Sequence, residues 1–88
     1  MKYKKKLVSV ILNCYNGSKY LREALISVQN QSFKNWELIF WDNQSSDKSL
    51  EIVSNYDDKR IRVFRSRIHT NLGKARKNAF TKAKGDFL

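Results

Sequence analysis

Short apolar runs that end abruptly in polar residues are the first pattern in this chain. Leu38–Trp41 is an unbroken run of bulky apolar residues, which predicts a strand, Trp36–Trp41, buried on both faces of a sheet. Leu7–Leu12, rich in valine and isoleucine, predicts a second buried strand. Asp42 and Asn43 follow the former run, and Asn-Cys-Tyr-Asn-Gly follows the latter. Ligands of α/β sheets bind beyond such strand ends, although Asp and Asn are also ordinary turn residues.

Helical spacing separates these strands and continues after them. Gly17 and Ser18 begin a segment in which apolar residues recur at i, i+3, i+4 and i+7, which predicts a helix that packs on the sheet and ends within Asn30–Asn35. Its inner residues are Leu21, Ala24, Leu25 and Val28. A second helix is predicted over 47–56, where Ser45, Ser46 or Asp47 can cap its start. The residues expected on its inner face are Leu50, Val53 and Tyr56.

The last third of the chain repeats the alternation of strand and helix. Ile61–Arg65 alternates apolar and basic residues, which favours a half-exposed edge strand. Gly73–Lys84 predicts a basic helix, and the residues expected to face the core are Leu72, Ala75, Ala79 and Ala83. The final Asp-Phe-Leu resembles the start of a fourth strand that is cut short. Alternating strands and helices predict a parallel sheet with right-handed crossovers, in which the first three strands lie side by side and the fourth joins the first.

Length, charge and cysteine content limit the number of domains, the partners and the cellular compartment that we expect for this protein. The chain has 88 residues, enough for one domain over 1–88, with 18 Lys and Arg against 8 Asp and Glu. A charge of +10 favours anionic partners such as phosphates, nucleic acid or an acidic membrane surface. Cys14 is the one cysteine, and we interpret it as a small buried thiol in a reducing compartment. The basic start lacks a signal-peptide core, so we expect a cytoplasmic protein with a peripheral contact at the inner membrane face.

Four segments, taken in order, resemble a known family. They are Val8–Leu21, Ser27–Asp47, Asn71–Ala79 and Ala83–Leu88. Together they resemble the amino-terminal, nucleotide-binding half of family 2 glycosyltransferases, which have the GT-A fold. The resemblance implies an α/β fold, a three-layer Rossmann-like half of a GT-A domain. It also implies a parallel sheet of order 3-2-1-4 with a truncated fourth strand.

The same resemblance implies a donor nucleotide at the ends of the first two strands. Tyr15 matches a residue near the base, Asn43 matches the second acidic residue of a turn that hydrogen-bonds the base, and Arg76 matches a position that often faces the nucleotide. The expected nucleotide-binding residues are Asn13, Tyr15, Asn16, Asp42, Asn43 and Arg76. Tyrosine can stack on a base, amides and carboxylates can read its edge, and an arginine fork suits a diphosphate. The structural alternatives are a turn role for Asn16 and a solvated Arg76.

Departures from the family pattern leave the base open. Asn13 stands where many members have proline, and Lys77 stands where asparagine is frequent. Asn43 replaces the acidic residue that many members carry. A carboxylate accepts hydrogen bonds only, whereas an amide both donates and accepts. Uridine, thymidine and guanosine donors therefore all remain open.

The resemblance implies an inverting transferase that uses a nucleotide-diphospho-sugar in the synthesis of cell-surface polysaccharide or lipopolysaccharide. In the family, an Asp-x-Asp motif holds Mn²⁺ or Mg²⁺, and an acceptor half supplies the catalytic base. Both would lie beyond Leu88, and Asp86 belongs to the strand that precedes the motif. We therefore expect no catalytic residue, no bound metal and no sugar transfer from this chain alone.

Two other classes compete with this interpretation. The charge of +10 allows a small basic nucleic-acid-binding module, although aromatic residues do not alternate with basic ones on any predicted strand. A generic α/β module that associates with other chains is the third hypothesis. If the chain is a truncated glycosyltransferase, self-association is also expected, because a truncated sheet edge leaves backbone groups unpaired beside apolar side chains. A homo-oligomer through that edge and the last helix is the predicted result.

Overall fold

A parallel sheet forms the middle layer of the computed structural model, which describes residues 6–87 and the side chains of 6–85. Its strands are β1 (Val8–Cys14), β2 (Trp36–Asp42), β3 (Ile61–Arg65) and β4 (Asp86–Phe87). They lie in the order β3-β2-β1-β4, and every neighbouring pair is parallel. The predicted α/β class with a parallel sheet is confirmed. Leu88 of the predicted fourth strand lies outside the described residues, as does most of the basic prefix, 1–5.

Helices cover both faces of this sheet. α1 (Ser18–Gln29) and α2 (Ser49–Ser54) pack on one face, and α3 (Leu72–Phe80) packs on the other. Every residue of β2 is buried, which confirms the prediction of a strand enclosed on both faces. Alternate residues of β2 serve the two layers: Phe40 lies in the cluster with α1 and α2, while Trp41 lies in the cluster with α3. Within residues 6–87, no helix is long and apolar enough to cross a membrane.

The first helix agrees with the sequence pattern, whereas the second is shorter than predicted. α1 begins at Ser18 and ends at Gln29, with Leu21 and Leu25 buried. α2 begins at Ser49 and not at Asp47, because the preceding residues form a turn that bonds the turn after β1. Its buried side chains include Ile52, which the prediction omitted, together with Ser49 and Val53. The predicted inner residues Leu50 and Tyr56 are half-buried against the same core.

The last helix is also shorter than predicted. α3 ends at Phe80 and not at Lys84, and Ala83 packs on the core from the connection that follows. The prediction that Leu72 faces the core was wrong, because its side chain is 54% exposed at the first helical position. The prediction is confirmed for Ala75 and Ala79, which are buried, and their small side chains let α3 pack closely on Ile39 and Trp41.

The strands run further toward the candidate site than the sequence predicted. β1 extends through Asn13 to Cys14, and β2 extends to Asp42, so that Cys14 and Asp42 are paired in the ladder. Cys14 is buried with a free thiol, as predicted. β3 occupies the predicted residues as an edge strand, and Val63 is 37% exposed there. The polar side chains at these strand ends are therefore held by a rigid sheet and not by a turn.

Candidate functional site

Asn16 joins the turns after β1 and β2 through hydrogen bonds. Its φ of 54° is left-handed, a conformation that asparagine adopts more readily than most residues. The backbone N–H of Asn16 donates to Ser45 Oγ at 2.9 Å. Its side-chain Oδ1 accepts from the backbone N–H groups of Ser46 at 2.8 Å and Asp47 at 3.3 Å. Asn16 therefore shapes the floor of the candidate site, as the structural alternative proposed.

Asp47 joins the starts of two helices. Its Oδ2 accepts from the backbone N–H of Ser18 at 3.1 Å, and its Oδ1 accepts from the N–H of Ser49 at 2.9 Å and from its hydroxyl at 2.6 Å. The hydrogen bond from the Ser49 hydroxyl is the main reason that the pKa of Asp47 is lowered to about 2. A carboxylate is well placed here because the N–H groups at helix starts carry partial positive charge.

Two buried oxygen acceptors lie unpartnered at the ends of β1 and β2. Asp42 is fully buried, and its Oδ2 accepts from the backbone N–H of Ser45 at 3.1 Å and lies 3.6 Å from Arg65 Nε. Its Oδ1 has no hydrogen-bond partner in the described part of the chain, and neither has the buried Oδ1 of Asn13. Buried acceptors are normally satisfied. These two atoms are consequently the strongest sign of a ligand that donates hydrogen bonds.

Asn43 holds the loop after β3 against this edge. Its Nδ2 donates to the carbonyl of Thr70 at 2.7 Å, and its Oδ1 accepts from the backbone N–H of Thr70 at 2.9 Å. The carbonyl of Asn43 also lies 3.1 Å from His69 Nδ1. The His69 ring in turn lies against Tyr15, with 4.5 Å between ring centroids and an angle of 53°. Both ends of the amide of Asn43 are thus engaged in holding Thr70.

A second left-handed residue, Gln44, ties the same turn to the end of β3. Its φ is 65°, and its side-chain Nε2 donates to the carbonyl of Ser66. Arg65 donates from a terminal guanidinium nitrogen to the carbonyl of Ser45 at 3.2 Å. These contacts fix the ends of β2 and β3 relative to each other, so the site has a preformed wall.

The structure brings five of the six predicted nucleotide-binding residues to one edge of the sheet. Tyr15 is 55% exposed there, beside an open pocket of about 180 Å³ that Asn13 also lines. Such a volume is small compared with the roughly 300–1,000 Å³ of typical ligand sites. Arg76 is the exception, because it is exposed on α3 and makes no contact with the strand ends within residues 6–87.

Several residues of the site were not singled out from the sequence. Arg65, His69 and Thr70 contact residues 20 to 27 positions earlier in the chain. No local pattern marks such contacts, because they depend on how β3 and its loop lie against β2. Ser45 and Asp47 were expected as helix caps, and the structure shows them bridging to the other turn as well.

The donor set of the described residues does not suit a metal ion. Among residues 6–87, no group of three or more His, Cys, Asp or Glu side chains lies close enough to hold one. Near the site, Asp42 Oδ2 lies 3.6 Å from Arg65 Nε, and Asp47 accepts three hydrogen bonds.

Two solved structures share this arrangement of strands and helices. S. aureus TarS 1-349, solved in complex with UDP-GlcNAc, matches with a TM-score of 0.84 and 33% identity over 92% of this chain and 25% of its own. The mannosyltransferase PcManGT from Pyrobaculum calidifontis, solved with GDP-Man and Mn²⁺, shares the fold at a TM-score of 0.84 and 20% identity. That match covers 93% of this chain and 26% of PcManGT. The fold is that of the amino-terminal part of GT-A glycosyltransferases.

Sequence comparison assigns the family. Residues 9–88 match the family described as Glycosyl transferase family 2, and the chain belongs to it. An uncharacterised glycosyltransferase of Haemophilus influenzae is 39% identical over 93% of this chain and 34% of its own length. The Escherichia coli enzyme WfgD, a UDP-Glc:alpha-D-GlcNAc-diphosphoundecaprenol beta-1,3-glucosyltransferase, is 33% identical over 93% of this chain and 32% of its own length. The chain spans about a third of the length of the curated relatives it matches.

Proposed function

We propose that this chain forms the donor-nucleotide-binding part of an inverting glycosyltransferase that uses a nucleotide-diphospho-sugar. The observation that carries the proposal is the pair of unpartnered buried acceptors at the ends of β1 and β2, Asn13 Oδ1 and Asp42 Oδ1, of which Asn13 lines a pocket with the exposed Tyr15. Bases present N–H donors on their edges and π-faces for stacking. The TarS structure with UDP-GlcNAc supports a nucleotide sugar as the donor class.

The residues at the strand ends divide into two roles under this proposal. Asp42 and Asn13 accept hydrogen bonds from the base, and Tyr15, supported by His69, covers it. Asn16 and Asn43 hold the turns and the loop that form the walls. Arg76 is assigned to the diphosphate because a guanidinium fork matches phosphate oxygens, and α3 would present it from the side.

We propose that the protein acts in the synthesis of cell-surface polysaccharide or lipopolysaccharide. WfgD carries a diphosphoundecaprenol-linked acceptor in its name, and so does a 36% identical beta-1,3-glucosyltransferase of Campylobacter jejuni. We further propose that β4 is the first part of a longer fourth strand, so that the order β3-β2-β1-β4 is that of a complete GT-A domain.

Displacement at a sugar carbon requires a base for the acceptor hydroxyl and a means of stabilising the departing diphosphate. The described residues provide no cluster that could hold a divalent cation such as Mn²⁺ or Mg²⁺. We therefore expect the chain to bind a nucleotide without transferring sugar. Incubation with a panel of nucleotide sugars and either cation tests this; acceptor-dependent release of nucleoside diphosphate would contradict it.

Titration of the ¹⁵N-labelled chain with UDP, GDP and dTDP tests the site itself. We expect amide shifts first at Tyr15, Asp42 and Asn43, with a dissociation constant of about 1 mM because the pocket is small and open. The base that gives the tightest binding identifies the donor class. Shifts confined to Lys74, Lys77 and Lys84 would instead indicate unspecific attraction of anions.

A pair of exposed aromatic residues provides matched variants. Tyr15→Ala should weaken nucleotide binding by about tenfold or more, because a stacked ring contributes roughly 1–3 kcal/mol per base. Phe33→Ala removes a ring that is similarly exposed, at 43%, in the connection that leads to the opposite end of β2. It should leave the affinity unchanged. Equal losses in both variants would sink the assignment.

Self-association of the 88-residue chain is a separate proposal. β4 pairs with Val8 and Ser9, so the rest of β1 has no neighbour on that side among the described residues. Unpaired strand edges readily pair with another chain. We expect a homodimer in sedimentation at moderate salt, where the charge of +10 is screened. A monomer that persists at high protein concentration would refute this proposal.

A further inference from the structure

Positive charge is concentrated in the second half of the chain. Residues 59–85 contain ten Lys and Arg and no Asp or Glu. Arg60, Arg62 and Arg65 of this stretch pair with acidic residues elsewhere. For Arg67, Lys74 and Lys77, no ion pair is found within the described residues, and all of them are exposed. The α3 side of the molecule therefore presents uncompensated positive charge.

A groove lies within this basic surface, between α3 and the loop 66–70. It has a volume of about 230 Å³, and its lining includes Trp41, Arg67, Ile68, Thr70, Lys74 and Asn78. We call it the α3 groove. The indole Nε1 of Trp41 is buried and has no hydrogen-bond acceptor among the described residues. Three cations thus line one concave surface, and one of them, Arg65, is paired with Asp42.

Ile68 makes this groove different from a simple anion site. Its side chain is 66% exposed, the highest value among the exposed large hydrophobic residues of the described chain. The loop that carries it is well held: the hydroxyl of Ser66 donates to the carbonyl of Ile68 at 2.6 Å, and Thr70 is bonded to Asn43. A rigid loop that exposes isoleucine beside Arg67 is suited to a surface that is apolar beneath an anionic layer.

The α3 groove adjoins the candidate nucleotide site through Arg65, which lines the groove and whose Nε lies 3.6 Å from Asp42 Oδ2. Residues two positions apart on a helix point about 200° apart around its axis, so Lys74 and Arg76 lie on different sides of α3. Asn78 follows Lys74 by one turn and lines the same groove. Lys74 therefore lies away from the proposed diphosphate position at Arg76, and the substitutions R67Q and K74Q leave the residues proposed to bind the nucleotide unchanged.

We propose that the α3 groove docks the chain on an anionic phospholipid bilayer. A headgroup phosphate binds between Arg67 and Lys74, and Ile68 inserts beside it into the interfacial region. The charge complementarity and the exposed isoleucine favour a bilayer over RNA, whose recognition uses stacking on aromatic rings. This inference goes beyond nucleotide binding and does not depend on it.

Vesicle co-sedimentation tests the proposal. The chain is mixed with vesicles of phosphatidylcholine alone or with equal parts of phosphatidylglycerol, and bound protein is measured. We expect binding to the anionic vesicles, weakened by about fivefold for each cation removed in the double variant R67Q/K74Q. I68S should also weaken binding, because insertion of its apolar side chain is lost.

A charge-matched variant distinguishes docking from general attraction. K19Q/K34Q removes the same charge from exposed positions of α1 and of the connection before β2. It should retain binding within about twofold, since the effect of a charge falls off within a Debye length of the surface. Equal losses in both double variants, or full binding by I68S, would overturn the proposal.

Two further measurements separate the other anions. Inorganic phosphate, at the concentration of the lipid phosphate, should compete weakly because it offers nothing to Ile68. Single-stranded RNA should bind the wild-type chain no more tightly than it binds the R67Q/K74Q variant. Binding of RNA that depends on Arg67 and Lys74 and exceeds binding to anionic vesicles would assign the groove to nucleic acid and refute lipid docking. Circular dichroism of each variant confirms that the fold is retained.

Discussion

At the scale of single residues, Asn43 shows what a side-chain amide contributes after the end of β2. Its side chain donates to the carbonyl of Thr70 and accepts from the N–H of the same residue. A carboxylate could make the second of these bonds but not the first. The two hydrogen bonds to Thr70 therefore account for an amide at position 43, and the identity of this residue does not determine which base is bound.

Asn43→Asp should destabilise the fold by roughly 1–3 kcal/mol, because the half-buried carbonyl of Thr70 loses its donor and then faces a negative charge. Asn71→Asp is the matched control. Asn71 caps α3 by accepting from the backbone N–H of Lys74 at 2.8 Å, and a carboxylate can do the same. Urea denaturation of both variants measures the difference. Equal stability of the two variants would contradict the role of Thr70.

At the scale of elements, Asp47 couples α1 to α2 through its contacts with Ser18 and Ser49. Neither helix has a side-chain cap at its formal N-cap position, which is Gly17 in α1 and Lys48 in α2. One carboxylate thus satisfies N–H groups at the starts of both helices. This arrangement places the two turns of the candidate site in a fixed relation.

Stability should depend on the charge of Asp47 in acid. Its pKa is about 2 in the folded chain, against an ordinary value of 3.8, so its contribution is fully present above about pH 4 and disappears as the pH falls through 2. Asp47→Asn should be less stable than the wild type at neutral pH. Thermal unfolding measured across this range should show the two curves converging near pH 2. A gap that stays constant with pH would show that the charge is not involved.

At the scale of the whole molecule, Glu37 joins strands from both ends of the chain. Its Oε2 accepts from the hydroxyl of Ser9 at 2.7 Å and from the backbone N–H of Lys84, and its Oε1 accepts from Arg62 at 3.1 Å. The backbone N–H of Gly85 donates to the same hydroxyl of Ser9 at 2.9 Å. Burial alone would raise the pKa of Glu37, but these hydrogen bonds lower the pKa below its usual value. The network fixes where β4 joins β1.

Gly85 should be indispensable to that junction. A Cβ at this position would lie 2.2 Å from the backbone oxygen of Leu7, so alanine must push β4 away from β1. We expect Gly85→Ala to cost roughly 1–3 kcal/mol. Protection of the Phe87 amide from hydrogen exchange should also be lost.

Gly73→Ala is the control for this substitution. A Cβ there meets Asn71 Oδ1 at 3.6 Å, an ordinary contact, and the helix gains up to about 1 kcal/mol from alanine. Retention of the exchange protection of β4 in Gly85→Ala would contradict the close approach.

Local pattern was sufficient for much of the architecture. The apolar run before Asp42 predicted a strand enclosed on both faces, and helical spacing after Ser18 predicted α1, because burial and period are properties of consecutive residues. Strand–helix alternation predicted parallel pairing, since handedness limits the ways in which such units can pack. The resemblance in four ordered segments led to the family that the comparisons assign.

Tertiary structure decided what the polar residues at the strand ends do. Asn16, Asn43 and Asp42 are all residue types that favour turns. The side chains of Asn16 and Asn43 form hydrogen bonds with distant backbone groups, whereas Asp42 keeps an unpartnered oxygen. Glu37 lay unnoticed in an apolar strand because its partners Ser9 and Lys84 are 28 and 47 residues away. Hydrogen-bond satisfaction is set by neighbours in space, so sequence alone determines which groups are available and the fold determines which remain free to bind a ligand.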